Sequence, residues 1–533
     1  MGKLTNNRNS GIPVFQISFY FCGVSIKRTI HDNLNEHLIM LRKIRLTVAI
    51  VFFTLITLLF LDFTGTLHTW FGWMAKIQFL PALLALNVGV VLALVILTLL
   101  LGRVYCSVIC PLGVFQDIVV WFAKKSKKNR YRYSPALSWL RYGVLGVFVI
   151  ALVAGVHSFV ALLAPYSSYG RIASNLFAPI YQWGNNLLAY LAERADSYAF
   201  YDTTVWLKSL PTFVIAAVTL VVLIVLAWRG GRTYCNTICP VGTVLGFLSK
   251  YAYLKPVIDT DKCINCNLCA RNCKASCIDI KNHQIDYSRC VACMDCLDKC
   301  KHQALRYAHP SKTKVEATEK KPEEGSSRRA FLTSTALAAS AAVLKAQEMK
   351  VDGGLATIED KKIPNRKTPI LPPGAQSARH FAQHCTACQL CVSVCPNEVL
   401  RPSTGLMTLM QPFSSYERGY CRPECTKCSE VCPAGAIKPI TVADKSSIQI
   451  GHAVWIKRNC VVKTDKVECG NCARHCPTGA ITMVPSDSKN PDSLKFPAID
   501  TERCIGCGAC ENLCPARPFS AIYVEGHERH RII

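Results

Sequence analysis

At 533 residues, half of them hydrophobic and only 18% charged, the chain is too long for one domain, and its mean hydropathy of +0.22 points to membrane segments. Thirty cysteines would suit a disulfide scaffold only in a short secreted chain without long apolar helices, so metal ligation accounts for them better. The formal charge of +26 comes without a helix-turn-helix signature or interleaved basic and aromatic residues, so it argues for a charged membrane face and anionic cofactors rather than nucleic acid.

Residues 1–39 form a polar N-terminal region whose one apolar run, 13–24, is too short to span a bilayer and makes no convincing signal peptide. A start at Met40 leaves the rest of the reading intact. Four apolar runs follow, near 44–61, 79–101, 143–164 and 212–228, each close to the ~20 residues that a spanning helix needs. Residues 40–250 therefore read as an α-helical membrane domain with four transmembrane helices. Arg42, Lys43 and Arg45 precede the first run, and Lys124, Lys125, Lys127, Lys128, Arg130 and Arg132 fill the loop after the second. Arg229 and Arg232 follow the fourth, while the loop at 165–211 is nearly balanced in charge. The positive-inside bias puts the N-terminus and residues 229–325 in the cytoplasm.

Within this domain the sequence repeats itself. Gly102-Arg103-Val104-Tyr105-Cys106-Ser107-Val108-Ile109-Cys110-Pro111 recurs as Gly231-Arg232-Thr233-Tyr234-Cys235-Asn236-Thr237-Ile238-Cys239-Pro240. Both copies end a helix that runs inward, so they relate by an axis along the membrane normal. Glycine breaks the span and proline suits the first turn of the next helix. Cys106, Cys110, Cys235 and Cys239 are thus expected to converge at the cytoplasmic face. They read as a redox site, either a further metal centre or thiols activated by helix N-termini, or else as small apolar residues in a structural turn. The pattern leaves both open.

The four runs contain a single histidine, His157, and C-x-x-C-H is absent, so haem has no ligands; no glycine-rich nucleotide loop occurs either. Asp62, His68 and His157 fall toward the outer side, where a quinol would release protons. A packed, satisfied histidine is the plainer account of His157.

Residues 251–310 carry the first two of six cysteine quartets: Cys263, Cys266, Cys269, Cys273 and Cys290, Cys293, Cys296, Cys300. Residues 311–376 are a linker. It holds a charged stretch, then Ser327-Arg328-Arg329-Ala330-Phe331-Leu332 and a weakly apolar run to Leu344, which together form a twin-arginine export signal or anchor helix at 327–344. An amphipathic linker helix is the alternative. The twin-arginine route carries folded proteins, as a domain with cofactors inserted in the cytoplasm requires. Residues 377–533 hold four more quartets: Cys385, Cys388, Cys391, Cys395; Cys421, Cys425, Cys428, Cys432; Cys460, Cys469, Cys472, Cys476; and Cys504, Cys507, Cys510, Cys514.

C-x2-C-x2-C-x3-C-P is the ligand pattern of bacterial [4Fe–4S] clusters, and zinc sites pair CxxC units differently. Six clusters would bring a charge of about −12 and offset much of the basicity. The quartets and the two C-x3-C-P pairs leave only Cys22 and Cys277 over. Residues 251–310 resemble a two-cluster ferredoxin, which implies Cys263, Cys266, Cys269 and Cys300 on one cluster and Cys290, Cys293, Cys296 and Cys273 on the other. Lys274 and Lys301 depart from the pattern, standing where proline is usual, and Cys277 is a nearby competing thiol. The α+β outer domain resembles four-cluster electron-transfer subunits, which implies that motif one pairs with four and two with three; pairing of neighbours is the alternative.

With four runs, the duplicated C-x3-C-P and a two-cluster module, residues 40–305 resemble the NapH-type membrane quinol dehydrogenase family, related to MauN. Residues 326–533 resemble the exported NapG/MauM-type ferredoxin, so the chain reads as a fusion. The resemblance implies a quinol dehydrogenase-type oxidoreductase component of the bacterial cytoplasmic membrane, with 251–310 cytoplasmic and 377–533 periplasmic. It would oxidise quinol, often menaquinol, and pass electrons to a periplasmic reductase, such as nitrate reductase, or to a cytochrome; the candidates for the quinol site, His157, His68 and Asp62, come from their outer-side placement and not from the resemblance. The quinone pool and the twin-arginine export machinery are the other implied partners. The alternative is a membrane polyferredoxin for maturation or redox regulation of another respiratory enzyme, though those do not usually carry an exported four-cluster domain. A bilayer core of ~30 Å separates the two cluster sets, so direct hopping is not expected and a mobile quinone, or a separate partner for the inner set, is.

Overall fold

The first and last apolar runs fold as continuous helices, Met40–Leu61 and Leu210–Gly230, both long and apolar enough to cross a membrane. At 1.5 Å per residue each reaches about 32 Å. The computed structural model describes residues 40–62, 65–126, 131–300, 302–309 and 359–533. The polar N-terminal region and the expected twin-arginine segment lie outside them.

The two middle runs do not form single helices, which corrects the expectation of four uninterrupted spans. The second breaks into Phe79–Leu84 and Val88–Leu101, because Leu86 turns left-handed at φ 54° and the Asn87 side chain caps the next helix by accepting the Val90 N–H. The third breaks into Ser138–Val153 and His157–Leu163 around Gly155, at φ 77°. Nor is 165–211 simply a loop. Pro165–Ile172, a π-turn at Ala173–Phe177 and Ala178–Glu193 run on from one another.

The repeat folds twice in the same way. Gly102 and Gly231 end their helices at φ 65° and 68°. Five-residue helices follow, Val104–Val108 and Thr233–Thr237, then Pro111–Ser126 and Pro240–Ser249 with proline in the first position. Glycine is required at 231 for a second reason: a Cβ there would lie 2.2 Å from the Lys274 carbonyl oxygen.

Residues 255–308 form a small α+β module. Antiparallel strands Lys255–Ile258 and Leu305–Ala308 pair Lys255 with Ala308, and a hairpin pairs Ile278 with Ile285. Residues 359–533 are built on antiparallel strands Ile448–Trp455 and Ile522–Ile532, the hairpin Ile481–Asp487 with Asn490–Ile499, and the short pair Leu400–Pro402 with Pro412–Ser414.

The two modules dock at opposite ends of the helical domain. Near the start of Met40–Leu61, Arg42 bonds Asp295 of the first module at 3.1 Å. At the other end, Phe60 stacks on Tyr166 with ring centroids 5.7 Å apart, where Gly170 meets the backbone of Cys388. One buried cluster runs from Cys106 and Cys235 through Tyr166 and Tyr169 to Phe381 and Cys385. Between the modules the helices turn large apolar side chains outward, among them Ile50, Leu92, Ile150, Val218 and Val221.

Candidate electron-transfer sites

Four of the six quartets wrap their ligand loops identically. Two residues and four residues after the first cysteine the backbone turns left-handed: Asn265 and Asn267, Ala292 and Met294, Ala387 and Gln389, Gly506 and Gly508. Six of these eight are not glycine, a conformation that persists only where the surroundings impose it. Such a wrap turns N–H groups inward and suits an anionic guest. The two quartets with stretched spacing, at Cys421 and Cys460, lack it.

In the first module one cavity is lined by Cys263, Cys266, Cys269 and Cys300, and another by Cys273, Cys290, Cys293 and Cys296, the sets that the ferredoxin resemblance implies. Cys277 lines the second cavity too, its Sγ 3.5 Å from that of Cys273. In the outer module Cys432 joins Cys385, Cys388 and Cys391 around a cavity. Within electrostatic reach, Cys428 has Cys421, Cys395 and Cys425, Cys472 has Cys469, Cys514 and Cys460, and Cys507 has Cys504, Cys476 and, from the second motif, Cys421. Neighbouring motifs therefore exchange their fourth cysteines, and the nested arrangement of one with four and two with three is overturned. Short helices of neighbouring motifs pack on each other, Leu390–Ser393 on Lys427–Val431 and Asn471–Arg474 on Ala509–Asn512, which brings each fourth ligand to its neighbour.

No described cysteine is paired in a disulfide. Among the described residues no three cysteine, histidine or carboxylate groups converge tightly enough for a single ion. A zinc site needs four thiolates about 2.3 Å from one atom, whereas a cubane gives each thiolate its own iron. Four cysteines lining each of these cavities, with the left-handed wrap of the regular loops, fit the cubane.

The repeat brings Cys106, Cys110, Cys235 and Cys239 together, all about 4% exposed and within electrostatic reach of one another. Arg103 Nη2 lies 3.8 Å from Cys106 Sγ and donates to the Cys235 carbonyl at 3.2 Å. Arg232 Nη1 lies 3.8 Å from Cys235 Sγ and donates to the Cys106 carbonyl at 2.8 Å. Gln116 Nε2 donates to Cys235 Sγ at 3.3 Å, and the Gly242 N–H to Cys239 Sγ at 3.3 Å. Asp117 receives Arg232 at 2.8 Å, Arg45 at 2.6 Å and Lys274 at 2.9 Å, and Lys274 reaches Asp295 at 3.1 Å. Burial alone would raise the Asp117 carboxyl, but Arg232, Lys274 and Arg45 hold it far below the usual carboxylate range. Arg45, Arg103, Arg232 and Lys274 thus face Asp117 and Asp295, the latter also bound by Arg42, so buried cations outnumber carboxylates there. A cubane with four thiolates carries about −2, so the donor set and its charge both fit one.

Arg45 and Arg232, counted in the sequence only among the charges flanking apolar runs, are buried at 7% and 0% exposure. The signal for Arg103 and Arg232 was present, since both belong to the repeated motif. Lys274, which replaces the usual proline, gives its carbonyl to the Arg232 N–H at 2.8 Å and its amine to the Asp117 network. Asp117 carried no comparable signal.

At the outer end the structure joins two of the three expected quinol residues. The Asp62 carboxylate accepts from the Gly65 and Leu67 N–H groups at 2.9 and 2.8 Å and from His68 Nδ1 at 3.2 Å. His68 Nε2 is buried with no partner among the described residues. Burial lowers the His68 pKa, Asp62 opposes that, and Lys427 of the outer module adds to it. His157 is not part of this pair. It is 2% exposed, neither ring nitrogen has a partner among the described residues, and His384 lies within electrostatic reach. The expectation of a satisfied histidine is thereby corrected.

Comparison with known proteins bears on these sites. A family model described as a 4Fe-4S binding domain matches residues 83–129 and 210–256, which contain the two copies of the repeat. Another, a 4Fe-4S dicluster domain, matches residues 467–517. The chain is similar to the ferredoxin-type protein NapF of Escherichia coli (strain K12), 29% identical over 180 residues, 34% of this chain and 100% of that protein. It is similar to the methylamine utilization ferredoxin-type protein MauM of Methylobacillus flagellatus, 26% identical over 151 residues, 28% of this chain and 64% of that one. It is also similar to the ferredoxin-type protein NapG of Haemophilus influenzae, 26% identical over 212 residues, 37% of this chain and 70% of that one. No solved structure matches the chain.

Proposed function

We propose that this chain, a fusion carrying a Nap/Mau-type ferredoxin, is a membrane-bound electron-transfer protein that oxidises quinol and feeds a periplasmic reductase. One observation carries the reading: cysteine cages dock at both ends of a helical domain whose flanks between them are apolar and exposed. Large exposed apolar faces of that kind call for lipid. Two broken and two continuous helices would cross the cytoplasmic membrane, with 251–310 on the cytoplasmic side. Residues 377–533 would lie on the periplasmic side, delivered by the twin-arginine segment.

The six quartets would hold six [4Fe–4S] clusters and the four repeat thiols a further centre, all supplying one-electron storage. The remaining chemistry belongs to the chain's own residues. Asp62 accepts the His68 Nδ1–H and so fixes the tautomer that leaves Nε2 free to take a proton. A quinol hydroxyl at Nε2 would lose its proton there, on the side where protons are released to the periplasm. Lys427, on the motif of Cys425 and Cys428, acts electrostatically on His68 from the outer module, which supports a proton acceptor lying near an electron acceptor. His157 is the second candidate base.

The test is anaerobic addition of a menaquinol analogue to the purified, cluster-loaded full chain, followed by visible and electron paramagnetic resonance spectroscopy. Bleaching of the clusters in the wild type and its loss in His68→Gln, with iron content unchanged, is the expected result. Clusters that stay oxidised in the wild type would sink the quinol reading.

A further inference from the structure

The sequence leaves two cluster sets on opposite sides of ~30 Å of bilayer core with nothing assigned between them. The fold fills that interval with one buried path. On the inner side, Lys274 follows the cage residue Cys273 and gives its carbonyl to the Arg232 N–H at 2.8 Å; the Arg232 guanidinium then lies 3.8 Å from Cys235 Sγ. Arg103 makes the parallel link. Its Nη1 donates at 3.1 Å to the carbonyl of Ser288, close to the cage residue Cys290, and its Nη2 lies 3.8 Å from Cys106 Sγ. The repeat thiols are thus one side chain away from the inner module by two separate routes.

On the outer side the path continues. Tyr234 precedes Cys235 and donates its hydroxyl to the Leu163 carbonyl at 3.2 Å. Arg171, fully buried, acts on both Tyr234 and Cys388. Tyr166 is 1% exposed, with its hydroxyl unpartnered among the described residues, and sits within electrostatic reach of Cys388 and Cys432. Gly170 packs so closely that a Cβ would fall 2.4 Å from the Cys388 carbonyl oxygen. The helix Met40–Leu61 measures the interval. Arg45 bonds the Ser107 carbonyl beside the repeat thiols, and Phe60 stacks on Tyr166 beside the outer cage. Those two helix positions are about 22 Å apart at 1.5 Å per residue. The four thiols therefore lie toward the inner end of the crossing, and Tyr234, Leu163 and Tyr166 lead on from them toward the outer cage.

We infer that the four repeat cysteines hold a relay centre that passes single electrons between the inner module and the cage of Cys385, Cys388, Cys391 and Cys432, so that electrons cross the membrane within this one chain. The inference rests on reading the repeat as a metal site, but not on quinol oxidation. A one-electron donor of ferredoxin type is oxidised at the inner module. Each centre that the cysteines would hold would take up and pass on that electron, and a one-electron acceptor at the outer module would be reduced. No covalent bond is made or broken.

The experiment places the loaded full chain in vesicles of quinone-free lipid with oxidised cytochrome c trapped inside, and adds dithionite outside. Either orientation of the chain requires an electron to cross. Reduction of the trapped cytochrome well above that in protein-free vesicles is the expected result. Cys106→Ser with Cys235→Ser should cut the rate by an order of magnitude and lower the iron content by one centre, about four irons, leaving the spectra of the other clusters in place. Crossing as fast in that double variant as in the wild type overturns the relay. Should the double variant not fold, a wild-type rate no higher than the protein-free leak overturns it alone. The two readings separate cleanly: a wild type that passes dithionite electrons but is not bleached by menaquinol keeps the relay and loses the dehydrogenase, and the reverse result does the opposite.

Discussion

Arg103 and Arg232 cross over between the two halves of the repeat, each binding the cysteine carbonyl of the other half, at 3.2 Å to Cys235 and 2.8 Å to Cys106. Glycine makes the crossing possible. A Cβ on Gly113 would lie 2.7 Å from Arg232 Nη1, and one on Gly242 would lie 2.9 Å from Arg103 Nη2. The duplicated sequence thus builds one site with approximate two-fold symmetry, and a change in either half disturbs both.

Asp117 holds the cations behind that site. Asp117→Asn keeps the shape but leaves Arg45, Arg232 and Lys274 without their shared carboxylate. Breaking a buried ion pair from one side costs about 3–5 kcal/mol. The expected outcome is a lower Tm of the detergent-solubilised chain and easier proteolytic release of the inner module.

The exchange of fourth ligands between neighbours predicts which cluster each cysteine governs. Cys432→Ser should remove the cluster of Cys385, Cys388 and Cys391, and Cys514→Ser that of Cys460, Cys469 and Cys472. Iron content and paramagnetic resonance of the single variants check this. A nested arrangement would instead tie Cys514 to the Cys385 motif.

Cys277 stands ready as a substitute ligand. Because its Sγ is 3.5 Å from that of Cys273 and lines the same cavity, Cys273→Ser should retain its cluster with an altered spectrum. Cys273→Ser with Cys277→Ser should lose it.

Close packing joins the outer module to the helices at Gly170. Gly170→Ala places a methyl 2.4 Å from the Cys388 carbonyl and 2.8 Å from the Phe60 ring, an overpacking that costs about 1–3 kcal/mol. Gly143→Ala, which meets nothing within 4 Å, is the control and should leave the Tm unchanged or slightly raised. Differential scanning calorimetry separates the two.

The outer module should lose stability in mild acid. Burial, helped by His527, lowers the His530 pKa to about 4, with His452 stacked on His527 at 5.1 Å and Arg531 adding to the positive field. The unfolded imidazole titrates near 6.5, so between about 6.5 and 4 the unfolded chain binds the extra proton and stability falls with pH. Tm measured at pH 5 should lie below that at pH 6.5, and His530→Gln should narrow the difference.

Much of this was legible in the sequence because the chemistry is local. Three cysteines within seven residues make most of a cluster cage, and in the four regular quartets the same two left-handed positions recur whatever residues fill them. The repeat, with its glycine, arginine, two cysteines and proline, is likewise a short-range pattern, and it drew attention to four thiols that do meet. The apolar runs marked the helical domain, although Asn87 and Gly155 divide two of them by local capping and turn geometry that hydropathy does not register.

What only the tertiary structure decided were the contacts between segments far apart in the chain. Which motif lends its fourth cysteine to which depends on the packing of Leu390–Ser393 on Lys427–Val431, and no spacing rule encodes that. Arg45, Asp117, Arg232 and Lys274 come from four separate segments, and in the sequence two of them stand only as charges flanking apolar runs. Desolvation makes such groups meaningful only once their partners are buried with them, so the network that unites the inner module with the repeat exists as a property of the assembled fold.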